Sequence, residues 1–301
     1  MTLPEQTLPS AVAPATLLSP KADLFAARAM RLRHLAHEHS LGPWLNWLAD
    51  LCAAQQKALD ALPVPGRRPV ATIDPVQPLL APEYPALQNA WPGIYDQLKA
   101  AATDFAAGNR AAPHPVLPEY TTEALELKAS GCRQLAAGET VLAERDIADF
   151  LVAAALQVAW TAAARQLALP ELTSLPNQDA CPCCGSLPLG SIVMAGDGKS
   201  GLRYLECSLC ATRWNAVRAR CTLCADGSVV NYLSLAGGNE AVQAETCDHC
   251  HGYIKTFFQG KDMQVDPLAD DLASLALDVL VGEQGYARGT PNLFLSDGEV
   301  V

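Results

Sequence analysis

The sequence predicts an α+β protein of several domains, in which an all-helical N-terminal domain precedes two tandem four-cysteine modules and a C-terminal helix. Helical spacing of apolar residues dominates positions 21–170, which we interpret as the helical domain. Cys-x-x-Cys pairs then recur between 181 and 250, and an Asp-Pro dipeptide at 266 opens a leucine-rich stretch. Half of the 301 residues are apolar, so the chain can bury a substantial core.

The chain begins with an arm and a predicted pair of helices. Residues 1–20 are rich in proline and alanine without apolar periodicity, so we expect a mobile arm. Apolar spacing predicts one helix over 22–39 and another over 44–62. Gly42-Pro43 separates them, because this dipeptide stops the first helix and its proline can open the second. We expect the two helices to pack antiparallel.

The rest of the helical domain contains a proline-rich segment and three further predicted helices. Eight prolines within 63–92 exclude a long helix or a central strand, which predicts an irregular wrapping segment. Helical spacing follows over 91–108, 121–137 and 139–169, and the apolarity of the last stretch indicates a central buried helix. The polar, proline-marked residues 171–180 are interpreted as a linker.

Isolated histidines and cysteines in this half do not predict a site. His34 and His37 are one helical turn apart, but no carboxylate or cysteine spacing completes a metal site with them or with His39. We therefore interpret all three as solvated or hydrogen-bonded. Cys52 and Cys132 have no partner spacing and are expected to fill the core. No nucleophile triad, phosphate loop or paired-carboxylate motif stands out, which indicates a scaffold.

Composition limits the partners and the compartment. The net charge is −11, from 21 basic and 32 acidic side chains, so the molecule repels phosphate backbones and nucleic acid is a poor partner. No uncharged apolar run reaches about 18 residues, which argues against membrane insertion. Residues 1–20 lack the basic start and apolar run of an export signal. We expect a protein of the reducing cytoplasm, where disulfides are rare.

Eight cysteines form the clearest motif of the sequence. Their four Cys-x-x-Cys pairs repeat with a shift of 40 residues, so the block is a duplicated unit. Two such pairs direct four sulfurs at one point, a set that suits tetrahedral zinc or iron. We predict one metal ion in each of two rubredoxin-like or zinc-ribbon modules, at 181–220 and 221–262, with disulfides or unrelated free thiols as the alternative. The predicted ligands are Cys181, Cys184, Cys207, Cys210, Cys221, Cys224, Cys247 and Cys250.

The residue that follows each Cys-x-x-Cys turn, here called a knuckle, distinguishes the first knuckle from the others. Gly185 can take the positive φ that sulfur-directed amides require, whereas the other three knuckles are followed by Ala211, Ala225 and His251. We therefore expect those three knuckles to be less regular and to bind metal more weakly.

Cys183 is the odd member of the first knuckle. It could replace Cys184 as a ligand, attack a disulfide, or occupy the surface of the knuckle. We favour the surface position.

Short strands and a final helix complete the prediction. Extended segments are expected at 191–195, 203–207, 213–218, 229–235, 241–245 and 253–258, which form one small antiparallel ribbon in each module. Such ribbons bury little apolar surface, so they should require the metal for folding. Residues 263–301 are interpreted as a C-terminal helix and tail, with Asp266 as cap, Pro267 at the first helical position, and a leucine face that docks on a ribbon.

The cysteine pairs are followed by Asp266-Pro-Leu-Ala-Asp-Asp-Leu-Ala-Ser-Leu-Ala-Leu-Asp278 and by Glu283-Gln-Gly-Tyr-Ala-Arg288-Gly. Together, over residues 181–295, these motifs closely resemble the formate dehydrogenase accessory protein FdhE family. The resemblance implies a cytoplasmic, non-catalytic maturation factor with rubredoxin-like sites, iron being favoured. It also implies binding of the catalytic subunit of exported respiratory formate dehydrogenase before transport. Cys183 departs from the family pattern and puts one ligand in doubt.

Two other classes of function stay open from the sequence. Iron held by four thiolates can cycle one electron, so a redox protein that delivers electrons to the client is one alternative. A nucleic-acid-binding zinc ribbon is the other, and the acidic charge opposes it. Arg213, Trp214, Arg218 and Arg220 are candidate partner contacts, with solvated strand residues as the alternative. A homodimer is also possible.

Overall fold

The computed structural model describes residues 16–63, 68–69, 77–80, 85–108, 119–140, 145–168, 179–196, 199–218, 220–227 and 230–295. Within these ranges the chain forms a bundle of five helices, an eight-stranded mixed sheet whose first strand precedes the bundle, and two short C-terminal helices. The predicted fold class, an all-helical first half followed by two four-cysteine modules, is therefore confirmed.

The helical bundle is built around its last helix. That helix is long and apolar enough to span a membrane by length and composition, but 83% of the stretch is buried inside the protein. It packs against the second, third and fourth helices, which accounts for its apolarity and confirms the predicted central helix. The helices are α1 (Leu24–Ala36), α2 (Gly42–Ala61), α3 (Pro85–Gly108), α4 (Thr122–Ala136) and α5 (Ile147–Gln166).

Two helix boundaries differ from the prediction. α3 begins at Pro85, so the last part of the segment predicted to be irregular is helical, and Pro92 lies inside the helix at the loss of one backbone hydrogen bond. α5 begins at Ile147 rather than at 139. Asp146 fixes this start, because its side chain accepts hydrogen bonds from the first helical amides in a capping box with Asp149.

The strands lie close to their predicted positions. The first module contributes β4 (Pro188–Val193), β5 (Arg203–Cys207) and β6 (Arg213–Ala216). The second contributes β7 (Val230–Leu233), β8 (Val242–Cys247) and β9 (Gly252–Phe258). The short remaining strands are β1 (Leu17–Leu18), β2 (Arg68–Pro69), β3 (Leu167–Ala168) and β10 (Ala287–Arg288). β2 and β3 pair separately, in parallel.

The two modules form one continuous sheet rather than two separate ribbons. The strand order is β1-β6-β5-β4-β9-β8-β7, with β10 pairing in parallel to β9. Each module is an antiparallel three-stranded unit, and the units join where the first strand of one lies parallel to the last strand of the other. Ser191 pairs there with Thr256, and their hydroxyl oxygens are 2.8 Å apart. The second unit therefore extends the sheet beyond β4, the innermost strand of the first unit.

The end of the predicted mobile arm is ordered, which corrects that prediction for residues 16–20. β1 pairs antiparallel with β6, and Leu17, opposite Trp214, is buried in the main core. Its apolar Leu-Leu pair covers the outer edge of the first module. Residues 1–15 of the predicted arm lie outside the described residues.

Buried arginines of α1 connect the helical bundle to the sheet. The Arg28 guanidinium donates to Glu206 of β5 at 2.6 Å, and Arg213 donates to the other oxygen of the same carboxylate at 2.7 Å. Arg31 donates two hydrogen bonds to Asp270 at 2.6 and 2.9 Å. Because these groups are almost fully buried, each charge depends on its partner, and the bundle, the first module and the C-terminal segment are held in one arrangement.

The C-terminal segment forms two short helices rather than the single predicted helix. Asp266 caps α6 (Pro267–Leu272), as predicted, by accepting hydrogen bonds from the first helical amides. A turn at 273–274 separates α6 from α7 (Leu275–Glu283), and both helices pack on the sheet.

A buried charge network holds this segment against β9. Arg288 donates to Asp271 at 2.5 Å and to Asp278 at 2.9 Å, and Lys255 of β9 donates to Asp278 at 2.6 Å. Burial alone would raise the pKa of Asp271, but Arg288 and Lys255 outweigh burial and hold that pKa well below its ordinary value. Because the folded pKa lies below that of the unfolded chain, the ionised carboxylate stabilises the fold above about pH 4. This contribution is lost as the pH falls through the folded pKa.

We expect Arg288→Met to raise the pKa of Asp271 and to move the midpoint of acid unfolding to higher pH. The buried carboxylates lose a partner, so the free energy of unfolding at neutral pH should fall by about 3–5 kcal/mol. Acid and urea unfolding followed by circular dichroism measure both effects. The control, Arg33→Met, removes an exposed pair with Asp50 and should cost about 1 kcal/mol or less. Equal acid midpoints for the two variants would contradict this role.

The junction between the modules gives a second prediction. A Cβ at Gly190 of β4 would lie 2.8 Å from the Phe257 ring and 3.0 Å from the Lys255 carbonyl oxygen. Gly190→Ala should therefore reduce the free energy of unfolding by about 1–3 kcal/mol in urea titration. Gly260→Ala, where nothing lies within 4 Å, is the control. If both variants unfold like the parent protein, the close approach of β4 and β9 is not required.

Candidate metal centres

The structure gathers the eight predicted ligands into two groups of four. In the first, the sulfurs of Cys181 and Cys210 are 3.6 Å apart, and those of Cys184 and Cys207 are 3.4 Å apart. All four lie within 4.8 Å of one another, which fits four ligands around a single ion. The four side chains are buried, none more than 5% exposed.

The second group has the same composition and lies at the surface. The sulfurs of Cys221 and Cys250 are 3.8 Å apart, as are those of Cys224 and Cys247. Cys221 and Cys247 are buried, Cys224 is half-buried and Cys250 is exposed. Each cysteine corresponds to one in the first group, so the duplicated units differ in burial rather than in ligands.

All four knuckles share one backbone conformation, which overturns the expectation that three would be less regular. The residue after the second cysteine has φ of 80° at Gly185, 55° at Ala211, 61° at Ala225 and 53° at His251. Three residues with side chains therefore occupy the left-handed region, at about 1–2 kcal/mol each. The cost is tolerated because this conformation turns the following backbone around the sulfurs.

Backbone hydrogen bonds close the knuckles in the same way. The amides of Cys181, Cys207 and Cys221 donate to the carbonyl five residues later, at 2.8, 3.0 and 2.9 Å. The amides of Leu209 and Cys210 each lie 3.4 Å from the Cys207 sulfur, where they can donate to a thiolate. Thiolates stabilised by such amides keep their orientation toward a metal.

Hydroxyl groups add to this shell in the first group. The Ser186 hydroxyl lies 3.5 Å from the Cys184 sulfur and the Thr212 hydroxyl 3.2 Å from the Cys210 sulfur. In the second group the amide of Leu223 approaches the Cys221 sulfur at 3.4 Å.

The electrostatics of the first group fit a divalent cation. Burial and the neighbouring cysteines raise the pKa of Cys181 and Cys207 well above the ordinary value, so the four sulfurs cannot all carry charge by themselves. A zinc or iron ion would supply the positive charge that keeps all four deprotonated. Four thiolates accept either metal, so the donor set does not choose between them.

Cys183 is fully buried, which corrects its expected position on the knuckle surface. Its side chain hydrogen-bonds Cys210, and this bond together with burial raises the pKa of Cys183. Its carbonyl accepts a hydrogen bond from the Leu80 amide at 2.8 Å. Cys184, not Cys183, belongs to the four-sulfur group. The segment around Leu80 thus covers the backbone of this knuckle.

The helical bundle forms one wall of the first group, which the sequence reasoning missed. Gln157 and Thr161 of α5 donate to the carbonyls of Ser208 and Cys210 at 3.0 and 3.4 Å. The Leu79 amide donates to Pro182 at 3.3 Å. Two polar residues four apart in an otherwise apolar helix were the available signal, because buried polar groups need partners.

The remaining candidates have other roles. His39 is hydrogen-bonded to the Leu41 amide and to the Ala273 carbonyl, as expected, while His34 and His37 are exposed. Cys52 and Cys132 are buried core residues, as expected.

The candidate partner contacts fall into two groups. Trp214 is fully buried and Arg213 is paired with Glu206, so neither can serve as predicted. Arg218 and Arg220 are exposed and lie beyond β6, which ends at Ala216, so neither is a strand residue.

Comparisons with known proteins agree over the whole length of the chain. Three family models match in succession: FdhE, N-terminal, over 13–176; FdhE, central domain, over 180–218; and FdhE, C-terminal domain, over 219–295. A Protein FdhE homolog of Pseudomonas aeruginosa is 36% identical, covering 98% of this chain and 97% of that protein. One from Haemophilus influenzae is 37% identical, covering 98% and 96%.

A solved structure also resembles the fold. The crystal structure of the FdhE protein from Pseudomonas aeruginosa is 34% identical in sequence and superposes with a TM-score of 0.72. The likeness covers 95% of this chain and all of the crystallised one.

The left-handed residues of the knuckles give a pair of opposite predictions. Gly185→Ala should lower the free energy of unfolding by about 1–2 kcal/mol, because it places a side chain in the left-handed region. Ala225→Gly relieves the same strain and should leave stability unchanged or raise it by about 1 kcal/mol. Thermal unfolding of the metal-loaded variants compares the two. A destabilising Ala225→Gly would show that the strain is not relieved at this position.

Proposed function

Because the chain belongs to the FdhE family of formate dehydrogenase accessory proteins, we propose that it is a cytoplasmic, non-catalytic maturation factor. In this proposal it binds the catalytic subunit of an exported formate dehydrogenase before transport. The observation that carries the proposal is the pair of four-cysteine groups, whose two modules share one continuous sheet. The metal ions would be structural parts of the client-binding surface.

The described residues support a binding role in preference to catalysis. Within the described part of the chain, the only groups of metal-binding side chains are the two cysteine clusters. The four cysteines of the first are at most 5% exposed among the described residues, which leaves a substrate little access to their sulfurs. A metal ion bound there would hold the two knuckles, and with them β4 to β6, in place. A homodimer and the absence of nucleic-acid partners stay predictions.

The exposed arginines between the modules are the proposed client contacts. Arg218 donates to the Gly201 carbonyl of the first module and Arg220 to the Ala225 carbonyl of the second, so the two arginines are anchored on either side of the junction. The protein has a net charge of −11, so these two arginines form a local positive patch that an acidic segment of the client would recognise.

Electron delivery to the client is a second candidate, which one observation favours. The exposure of Cys250 brings the second site to the surface, where an electron could pass to a bound partner. Iron would be required, because zinc has no accessible second oxidation state. Metal analysis and visible absorption after anaerobic purification test it. Reducible thiolate-to-iron bands would support it, and a colourless zinc protein would exclude it.

Client binding can be tested by co-purification of the catalytic subunit with tagged variants. Cys210→Ser and Cys250→Ser each remove one ligand at equivalent positions of the two modules, and each should weaken binding by about tenfold or more. Cys52→Ala removes a buried thiol outside both groups and is the control. Undiminished binding by both serine variants would contradict the proposed role of the modules.

Arg218→Glu combined with Arg220→Glu tests the contact surface without touching a ligand. The double variant should reduce client capture and raise its salt sensitivity. Arg33→Glu, another exposed arginine, should not. Capture that is equally strong in both would show that the arginines are not client contacts.

A further inference from the structure

The two cysteine groups differ in how their metal can leave. We propose that the second site exchanges its ion with the surroundings through Cys250, whereas the first keeps its ion as a permanent part of the core. The inference rests on the metal binding proposed above and not on client binding. It assigns to the second site the role of an exchangeable metal site, whose occupancy follows the supply of ions and competing thiols.

The first site is buried among the residues that the structure describes. Its four cysteines, together with Cys183, belong to the same buried cluster as the helical bundle. α5 donates hydrogen bonds to the second knuckle through Gln157 and Thr161, and the Leu79 and Leu80 amides bind the first. A ligand that attacks this site must first separate the bundle from the sheet. Such opening requires much of the free energy of unfolding.

The second site presents one ligand directly to solvent. Cys250 is exposed, and its knuckle neighbours Asp248, His249 and His251 are exposed as well. Cys210, the equivalent cysteine of the first site, is 0% exposed. One carboxylate and two imidazoles, groups that bind divalent cations, are therefore next to the exposed cysteine in the sequence. The duplication makes Cys210 and Cys250 equivalent, yet only Cys250 is accessible to solvent.

The wall of the second site is the C-terminal tail. The Leu223 side chain, between two ligands, packs so closely on Gly289 that a Cβ there would lie 2.2 Å from it. Tyr286 donates to Asp248 at 2.6 Å, and the Ala287 amide donates to the His251 carbonyl at 2.8 Å. Residues 286–289 of this wall are half-buried or exposed, so the second site lies nearer to solvent than the first.

Exchange at Cys250 is a simple ligand substitution. With an ion bound, the Cys250 sulfur would be the ligand that a competing donor atom replaces, one bond to the ion forming as the other breaks. The released thiolate would take up a proton, and Cys221, Cys224 and Cys247 would be replaced in the same way. No oxidation or reduction is involved.

The zinc-loaded full chain allows the rates to be measured. Total zinc is determined first, and release is then followed with the chelator 4-(2-pyridylazo)resorcinol. We expect two ions per chain, of which one leaves at least about tenfold faster than the other. Iodoacetamide labelling during the fast phase should modify Cys250 and Cys224 before any cysteine of the first site. Cys250→Ser should accelerate or abolish the fast phase only.

A variant outside the ligands keeps the test informative if Cys250→Ser fails to fold. Gly289→Ala displaces Leu223 and should speed the fast phase about tenfold while leaving the slow phase unchanged. Gly227→Ala is the control, because nothing lies within 4 Å of its added Cβ although it is close to the same site.

The outcomes separate this inference from the metal sites themselves. Two ions that leave at one rate, or earlier labelling of Cys210 than of Cys250, would overturn the inference and leave the metal sites standing. Fewer than two ions per chain in the parent protein would contradict the proposed metal sites and the inference together.

Discussion

Repulsion among thiolates is the constraint on which the sheet depends. Each group places four sulfurs within 4.8 Å of one another, and negative charges at that distance require a cation between them. The left-handed residues and the sulfur-directed amides both orient the cysteines toward that point. Each group also brings together the two knuckles of its three-stranded unit. A bound ion would therefore stabilise a ribbon that buries too little apolar surface to fold by itself.

Burial separates two units that share sequence spacing and backbone. The first lies against the helical bundle, where a buried ion pair of Arg28 ties it to α1 and one of Arg31 ties α1 to α6. The second extends the same sheet outward and is covered by the tail through Tyr286 and the pairing of β10 with β9. Duplication thus supplied two similar sites, and the order of strands placed one in the core and the other at the surface.

The sequence predicted the elements better than their arrangement. The cysteine spacing identified both groups because it acts locally, and Asp266 identified the start of α6 for the same reason. The pairing of β4 with β9 and of β1 with β6 depends on contacts between distant segments, which spacing does not record. The surface position predicted for Cys183 is wrong because residues distant in sequence, such as Leu80 and those of α5, pack around this knuckle, and its spacing does not record them.

The central prediction is that each of the two cysteine groups binds one metal ion in the folded chain. Native mass spectrometry of anaerobically purified protein measures the number of ions in each folded species, and chelation followed by circular dichroism measures their effect on the sheet. We expect two ions per compact chain, with loss of strand signal and retained helical signal on their removal. A compact metal-free chain with its full strand signal would contradict the account, because the sulfurs would then be held by protein packing alone.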